Sequence, residues 1–150
     1  MHLTIMNKAK HVDKKTIKRA VAFYADYLIK NHSKINLVLD FEKDLKKNDG
    51  DEGWILPEGN RSYTITIDSK FSKRKILTIL AHEMVHLKQY HTRNLTWNER
   101  KKQHRFNGQT YKDGVNYWER PWEIEAFGRE LGLYAMFMEN NNVDRKVKKG

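Results

Sequence analysis

The chain contains no cysteine. That excludes disulfides and thiolate metal ligands, so any metal must be held by imidazoles and carboxylates. It also has no apolar run approaching the roughly 20 residues of a membrane span. The opening segment, Met1-His2-Leu3-Thr4-Ile5-Met6-Asn7-Lys8, lacks the long apolar stretch of a secretory signal. No internal repeat breaks the 150 residues into units. No helix-turn-helix, zinc-knuckle or single-strand-binding signature is present either. These absences read as a soluble, intracellular chain: one domain over 1–139 with membrane partners excluded, and a polar, basic, frayed tail from Asn140 to Gly150. Acidic residues are the minority, 19 against 29 basic, for a net charge of +10.

What is present is the pentad His82-Glu83-Met84-Val85-His86, an H-E-x-x-H pattern in an apolar, helix-patterned stretch. A shuffled chain of this composition would contain the pattern in roughly 2% of cases, so its context has to decide. Residues four apart on a helix lie about 40° from each other, which lets both imidazoles share one ion. Leu77, Leu80, Met84 and Leu87 fall about 140° to 220° around the wheel from His82, so the stripe destined for the core points away from the imidazoles. The imidazole face then looks toward a cleft. Zn²⁺ suits such a site, being borderline-soft and tolerant of an open fourth position. Glu83 is spaced to reach a water on the ion rather than the ion itself, as a general base.

A catalytic zinc usually takes three protein ligands. His91 lies about 180° from His82, on the apolar side, and suits a role at the helix C-terminus instead. The stronger candidate sits in Pro121-Trp122-Glu123-Ile124-Glu125-Ala126-Phe127. Pro121 suits the first position of a helix. Phe127, Leu131, Tyr134 and Met138 make an apolar stripe with Glu123 at its head, where a carboxylate is costly unless paired or metal-bound. Glu119 and Glu130 are the alternatives, with Glu130 also placed to orient a histidine from behind. Glu125 points to the far side and reads as solvated.

H-E-M-V-H on one helix and P-W-E-I-E-A-F on a later one resembles a small gluzincin-type metallopeptidase, similar to ImmA/IrrE-type and other minimal gluzincins. The first segment also resembles SprT-like proteases, which use a third histidine. The combination is similar to small phage-encoded metallopeptidase-like proteins. The resemblance covers residues 62–91 and 117–135. It implies peptide-bond hydrolysis, a protein or peptide substrate, and a cytoplasmic location, the host cytoplasm for a phage-encoded chain. The residues themselves imply only a metal-activated water. The N-E-x-x-S-D of thermolysin-like gluzincins is missing, and Phe127 stands where that motif has Asp. The acidic partner of a ligand histidine is therefore unassigned.

The expected architecture is α+β and zincin-like: a small mixed sheet packed on an N-terminal helix and the motif helix, with a C-terminal helix carrying the third ligand. Asp13 caps a first helix running to Lys30. Ile35–Leu39 reads as a strand, and Trp54–Leu56 as a brief one ended by Pro57 and Gly59. Glu42 to Gly53 reads as a loop, its Asn48-Asp49-Gly50-Asp51-Glu52-Gly53 run lacking EF-hand spacing. Arg61–Asp68 alternates, with Tyr63, Ile65 and Ile67 on one face, and leads into the motif helix behind a Ser69 or Ser72 cap. In gluzincin-like folds this strand borders the cleft, where an edge can accept an extended peptide. Residues 92–120 are aromatic, basic and irregular, with a type I′ hairpin signal at Asn107-Gly108 that reads as a lid or a surface excursion. The last helix spans 121–139.

His104, Tyr111, Tyr117 and Arg129 are the available oxyanion donors. Trp97, Trp118 and Trp122 read as packing residues. Two functions compete: a zinc peptidase, and a metal-braced binder whose basic surface engages nucleic acid or an acidic partner. A hybrid, a protease acting on DNA-bound proteins, joins them.

Overall fold

The first strand was not expected from the sequence. β1 (His2–Met6) is a five-residue edge strand; half-buried Leu3 and Ile5 alternate with exposed His2, Thr4 and Met6, a faint signal in so short a segment. The computed structural model describes residues 1–45 and 51–149, with side chains to position 141. Residues 46–50 of the expected Glu42–Gly53 loop, and Gly150, lie outside the described residues.

Helix α1 (Lys14–Leu28) follows, capped as expected by Asp13, whose side chain accepts from Thr16 N–H. It buries Ile17, Ala20, Val21, Tyr24 and Leu28 on one face. β2 (Asn36–Glu42) pairs parallel to β1, with Leu3 beside Leu37 and Ile5 beside Leu39. β3 (Gly53–Gly59) and β4 (Ser62–Asp68) form a hairpin, and β4 lies parallel to β2. The sheet order is therefore β1-β2-β4-β3, a mixed sheet. In β2 the alternation is strict: Leu37, Leu39 and Phe41 are buried and their neighbours are not. One face of the sheet thus packs against the helices while the other faces outward.

One expectation is corrected here. The strand preceding the motif helix, β4, is internal; the sheet's edges are β1 and β3, and β3 is the one that borders the cleft, through Gly53, Trp54 and Ile55. The hairpin folds β3 back over the outer side of β4, and Pro57, which has no N–H to offer a ladder, tolerates an edge position.

Helix α2 (Lys73–His91) carries the motif, capped by Ser72 accepting from Lys75 N–H at 3.2 Å. Leu77, Leu80, Met84 and Leu87 all point into the main core, joined there by Tyr24, whose hydroxyl donates to Leu77 C=O at 3.0 Å. A second sheet, β5 (Leu95–Asn98), β6 (Gln103–Phe106) and β7 (Gln109–Lys112), is an antiparallel meander. Its β6–β7 turn is the expected Asn107-Gly108, both residues at positive φ as a type I′ turn demands. Beneath it Leu95, Phe106 and Trp122 form a small separate core.

A short 3-10 turn, Tyr117–Glu119, leads into helix α3 (Pro121–Lys149), which packs along α2. The backbone helix continues through residues 140–149, with no Gly or Pro between Asn140 and Lys149 to interrupt it. The inward stripe of α3 also differs from expectation. It runs Glu123, Ala126, Glu130, Leu133, Phe137, whereas Phe127 and Leu131 are exposed. Small Ala126 at the seam lets α3 lie close to α2, which turns the larger Phe127 and Leu131 outward. The overall class, α+β with the third candidate ligand on the last helix, is as expected. No described helix is long and apolar enough to cross a membrane.

Candidate metal centre

His82 and His86 project from α2 at the point where the start of α3 crosses it. Glu123, in the first turn of α3, meets them. His82 Nε2 and His86 Nε2 are 3.2 Å apart, and Glu123 Oε1 lies 3.1 Å from the first and 2.7 Å from the second. The three side chains are buried, and with them Glu83, at 6–8% exposure each. A tetrahedral ion with bonds of about 2.0–2.1 Å separates its ligands by about 3.3–3.4 Å. The triangle therefore accepts an ion after an outward adjustment of a few tenths of an ångström. This His/His/Glu cluster can hold a metal ion.

The opposite ring nitrogens are held from behind. His82 Nδ1–H donates to Glu130 Oε2 at 3.0 Å, and His86 Nδ1–H donates to Gln89 Oε1 at 2.7 Å. Each ring thereby turns its Nε2 lone pair toward the ion site. Gln89, fully buried, spends its amide hydrogens on Trp122 C=O at 3.0 Å and Glu125 Oε1 at 2.9 Å. Glu125 is thus tied to α2 rather than solvated, a correction. Glu130 has the orienting role expected of it, and it supplies the acidic histidine partner that the sequence left unassigned.

The electrostatics describe a site organised for positive charge. Burial opposes protonation of His82, but the hydrogen bonds to Glu123 and Glu130 outweigh it and hold its pKa up at about 9. His86 is pushed the same way by Glu123 against its own burial. Burial would raise Glu123, yet the two imidazoles bring it down to about 2. An ion here would replace a proton already attracted to the same three atoms. Glu83 sits differently. Burial raises its carboxyl above the usual range, against the pull of His86 and His82.

The cleft over the centre is divided by Tyr117. On one side lies a cavity of about 460 Å³, on the other one of about 260 Å³, and His82 and Glu83 border both. Gly53 borders both as well. A Cβ there would come within 2.9 Å of Thr66 C=O and 3.0 Å of Ile79 Cγ2, so only glycine lets β3 press this closely on α2.

Among the expected oxyanion donors, Tyr117 reaches both cavities, with its hydroxyl close to Glu123. Burial, then Glu123 and Glu83, push its hydroxyl pKa upward, so it keeps its proton. His104 borders the smaller cavity, stacked on Trp122 with ring centroids 4.7 Å apart. Tyr111 packs on Trp122 instead, and Arg129 is exposed and borders neither cavity. Glu119 is exposed and outside the cluster, and His91 ends α2 away from it. Of the three tryptophans expected to pack, only Trp122 is buried; Trp118 is 69% exposed, resting on Phe127. Gln89 and Arg120, which also borders the smaller cavity, were not anticipated: nothing in their spacing marks them.

No protein-family model, no curated protein and no solved structure matches this chain.

Proposed function

We propose that this chain is a zinc-dependent peptidase of gluzincin type, with His82, His86 and Glu123 as ligands and Glu83 as general base. The observation that carries the reading is the convergence of three buried ligand atoms beside a buried, proton-affine Glu83 that faces the same cleft. Without cysteine, two imidazoles and one carboxylate form a donor set that Zn²⁺ accepts readily, leaving a fourth position open. When bound, the ion acidifies a water and polarises the scissile carbonyl.

The remaining work falls to side chains. Glu83, which borders the cleft beside the ligands, takes the proton of the attacking water. The same carboxyl then delivers the proton to the departing amine. The Tyr117 O–H, at the junction of the two cavities, donates to the oxyanion as charge develops on the carbonyl oxygen. Along the cleft, the open edge of β3 offers backbone N–H and C=O groups to an extended peptide, which adds as a further strand.

The test is zinc content and hydrolysis of denatured casein by the full chain beside Glu83→Gln. The variant keeps its metal and loses about 10²- to 10⁴-fold in rate. Full activity in Glu83→Gln would remove the mechanism. The competing reading, a metal-braced nucleic-acid binder, draws on the +10 charge but leaves Glu83 without a task. It predicts salt-sensitive DNA binding and no casein cleavage at any metal loading.

A further inference from the structure

The two cavities differ in character. The larger is bordered by Asp51, Glu52, Lys75, Ile79, Phe127 and Glu130. Lys75, the one lysine or arginine among its described lining residues, is already engaged, its Nζ donating to Glu52 Oε1 at 2.7 Å. The smaller is bordered by Trp54, Tyr90, His104, Arg120 and Trp122 beside the metal ligands, with Asp51 at the boundary of both. Among the described residues it is an aromatic box with one permanent cation, Arg120, and with Asp51, Glu83 and Glu123 in its wall.

Arg120 is half-buried and fixed. Its Nε–H donates to Val115 C=O at 3.2 Å, and its guanidinium lies 5.5 Å from the centre of the Tyr117 ring. Among the described residues, no carboxylate pairs with it. A guanidinium presents five N–H donors in a planar fork matched to a carboxylate, and only one of them is used here. A half-buried guanidinium with donors to spare gains when a carboxylate that fits its fork arrives. Surface arginines need no such partner, but this one stands in the cleft wall, in the same cavity as Glu83, His86 and Glu123.

Building on the peptidase reading, we propose that Arg120 makes the smaller cavity a subsite for a substrate carboxylate beside the scissile bond. The carboxylate comes from an acidic side chain or from the end of the peptide chain; both present the same pair of oxygens to the fork. Trp54 and Trp122 flank the stem of that residue, while the larger cavity, with Lys75 held by Glu52 and no arginine among its described lining residues, offers no such fork.

The test measures binding, so it does not depend on turnover. Zinc-loaded Glu83→Gln protein is titrated by tryptophan fluorescence with acetylated, amidated octapeptides carrying one Glu or one Gln at each position in turn. A further amidated/free-acid pair without Glu reports the chain terminus. Titrations at 0.15 M and 0.5 M salt remove the diffuse attraction of a basic surface. The expected result is a Glu-over-Gln preference of roughly ten- to hundred-fold at one register, or the same preference for the free acid, surviving high salt. Adding Arg120→Gln brings the ratio to within about twofold, and Arg120→Lys leaves it intermediate, since the charge remains but the fork is lost.

Equal binding of all pairs overturns the proposal. So does a preference that Arg120→Gln does not diminish, which would leave Arg120 as a prop for Tyr117. Wild-type cleavage of these peptides without carboxylate preference sinks the subsite alone. Carboxylate preference with no cleavage by wild type sinks the peptidase reading and leaves the subsite standing.

Discussion

The two sheets of this molecule are unequal, and the centre sits where they meet. The four-stranded sheet, with α1 and α2, encloses a continuous core in which Tyr24, Leu37, Ile65, Leu80 and Met84 are all but sealed from solvent. The three-stranded sheet covers only Leu95, Phe106 and Trp122. His82 and His86 rise from a helix rooted in the first. Glu123 lies between Trp122, which belongs to the second, and Ala126, which belongs to the first. The difference separates positioning from enclosure. A large core gives the imidazoles a fixed floor, while a thin layer that opens at small cost suits the walls of a cleft that, on the proposed function, has to admit a peptide.

The largest effect should come from cutting the junction itself. Glu123→Ala removes the acid that links both regions to the imidazoles, and metal content measured by plasma emission should fall from near one ion per chain to background. Stoichiometric zinc in that variant would detach α3 from the centre and end the comparison.

Next in size is the contrast between cores. Leu80→Ala, in the main core, should cost about 2–5 kcal/mol in urea denaturation. Phe106→Ala, under the smaller sheet, should stay within about 0.5–3 kcal/mol and raise amide exchange over β5–β7 while α2 remains protected. Equal losses with global exchange would mean that the two layers unfold as one.

Gln89→Leu tests the stitch between α2 and the start of α3. It removes the acceptor of His86 Nδ1–H and the donor to Trp122 C=O. Zinc affinity by competition with a chelator should weaken about 10- to 100-fold. Glu130→Gln, which keeps shape and an acceptor oxygen, should weaken it less. Unchanged affinity in both would show that the ligand rings are oriented by packing alone.

The smallest effect is a pH dependence. In metal-free protein the folded pKa of His82, about 9, exceeds the value near 6.5 of an unfolded chain. Its contribution to stability is complete below about 6.5 and disappears as pH rises through about 9, a loss on the order of 1–3 kcal/mol. Glu123 acts at the other end: its contribution is present above about 4.5 and is lost as pH falls through about 2. Zinc-saturated protein should lack the alkaline decline, because a liganded imidazole is already neutral. Thermal melts from pH 6 to 10 with and without zinc check this, and parallel curves would refute it.

How much of this could be read in advance follows from which signals are local. Asp13 and Ser72 announce their caps within three residues, and Asn107-Gly108 dictates its turn. His82, Glu83 and His86 share one helix, so spacing alone orients them. Glu123 and Glu130 needed only the guess that a second helix faces the first. The misses are tertiary. β1 is a short edge strand whose alternation buries no side chain fully, and β5 buries only Leu95. The α3 wheel has apolar residues on two faces, and only docking against α2 decides that Ala126 and Leu133 are inside while Phe127 and Leu131 are not. Gln89 and Arg120 are residue types common on any surface; their meaning lies in what the fold lays beside them.

One consequence follows from the grip on His82. Its two ring nitrogens are taken by the same helix, Nε2 by Glu123 and Nδ1 by Glu130, seven residues and therefore about 10.5 Å apart along α3. The imidazole acts as a pin through a hinge. Sliding α3 by a single turn would strip it at both ends together, so seating of that helix and binding of a metal ion would be one equilibrium viewed from two sides. Scarcity of metal would then loosen the entrance to the cleft before it disturbed the floor.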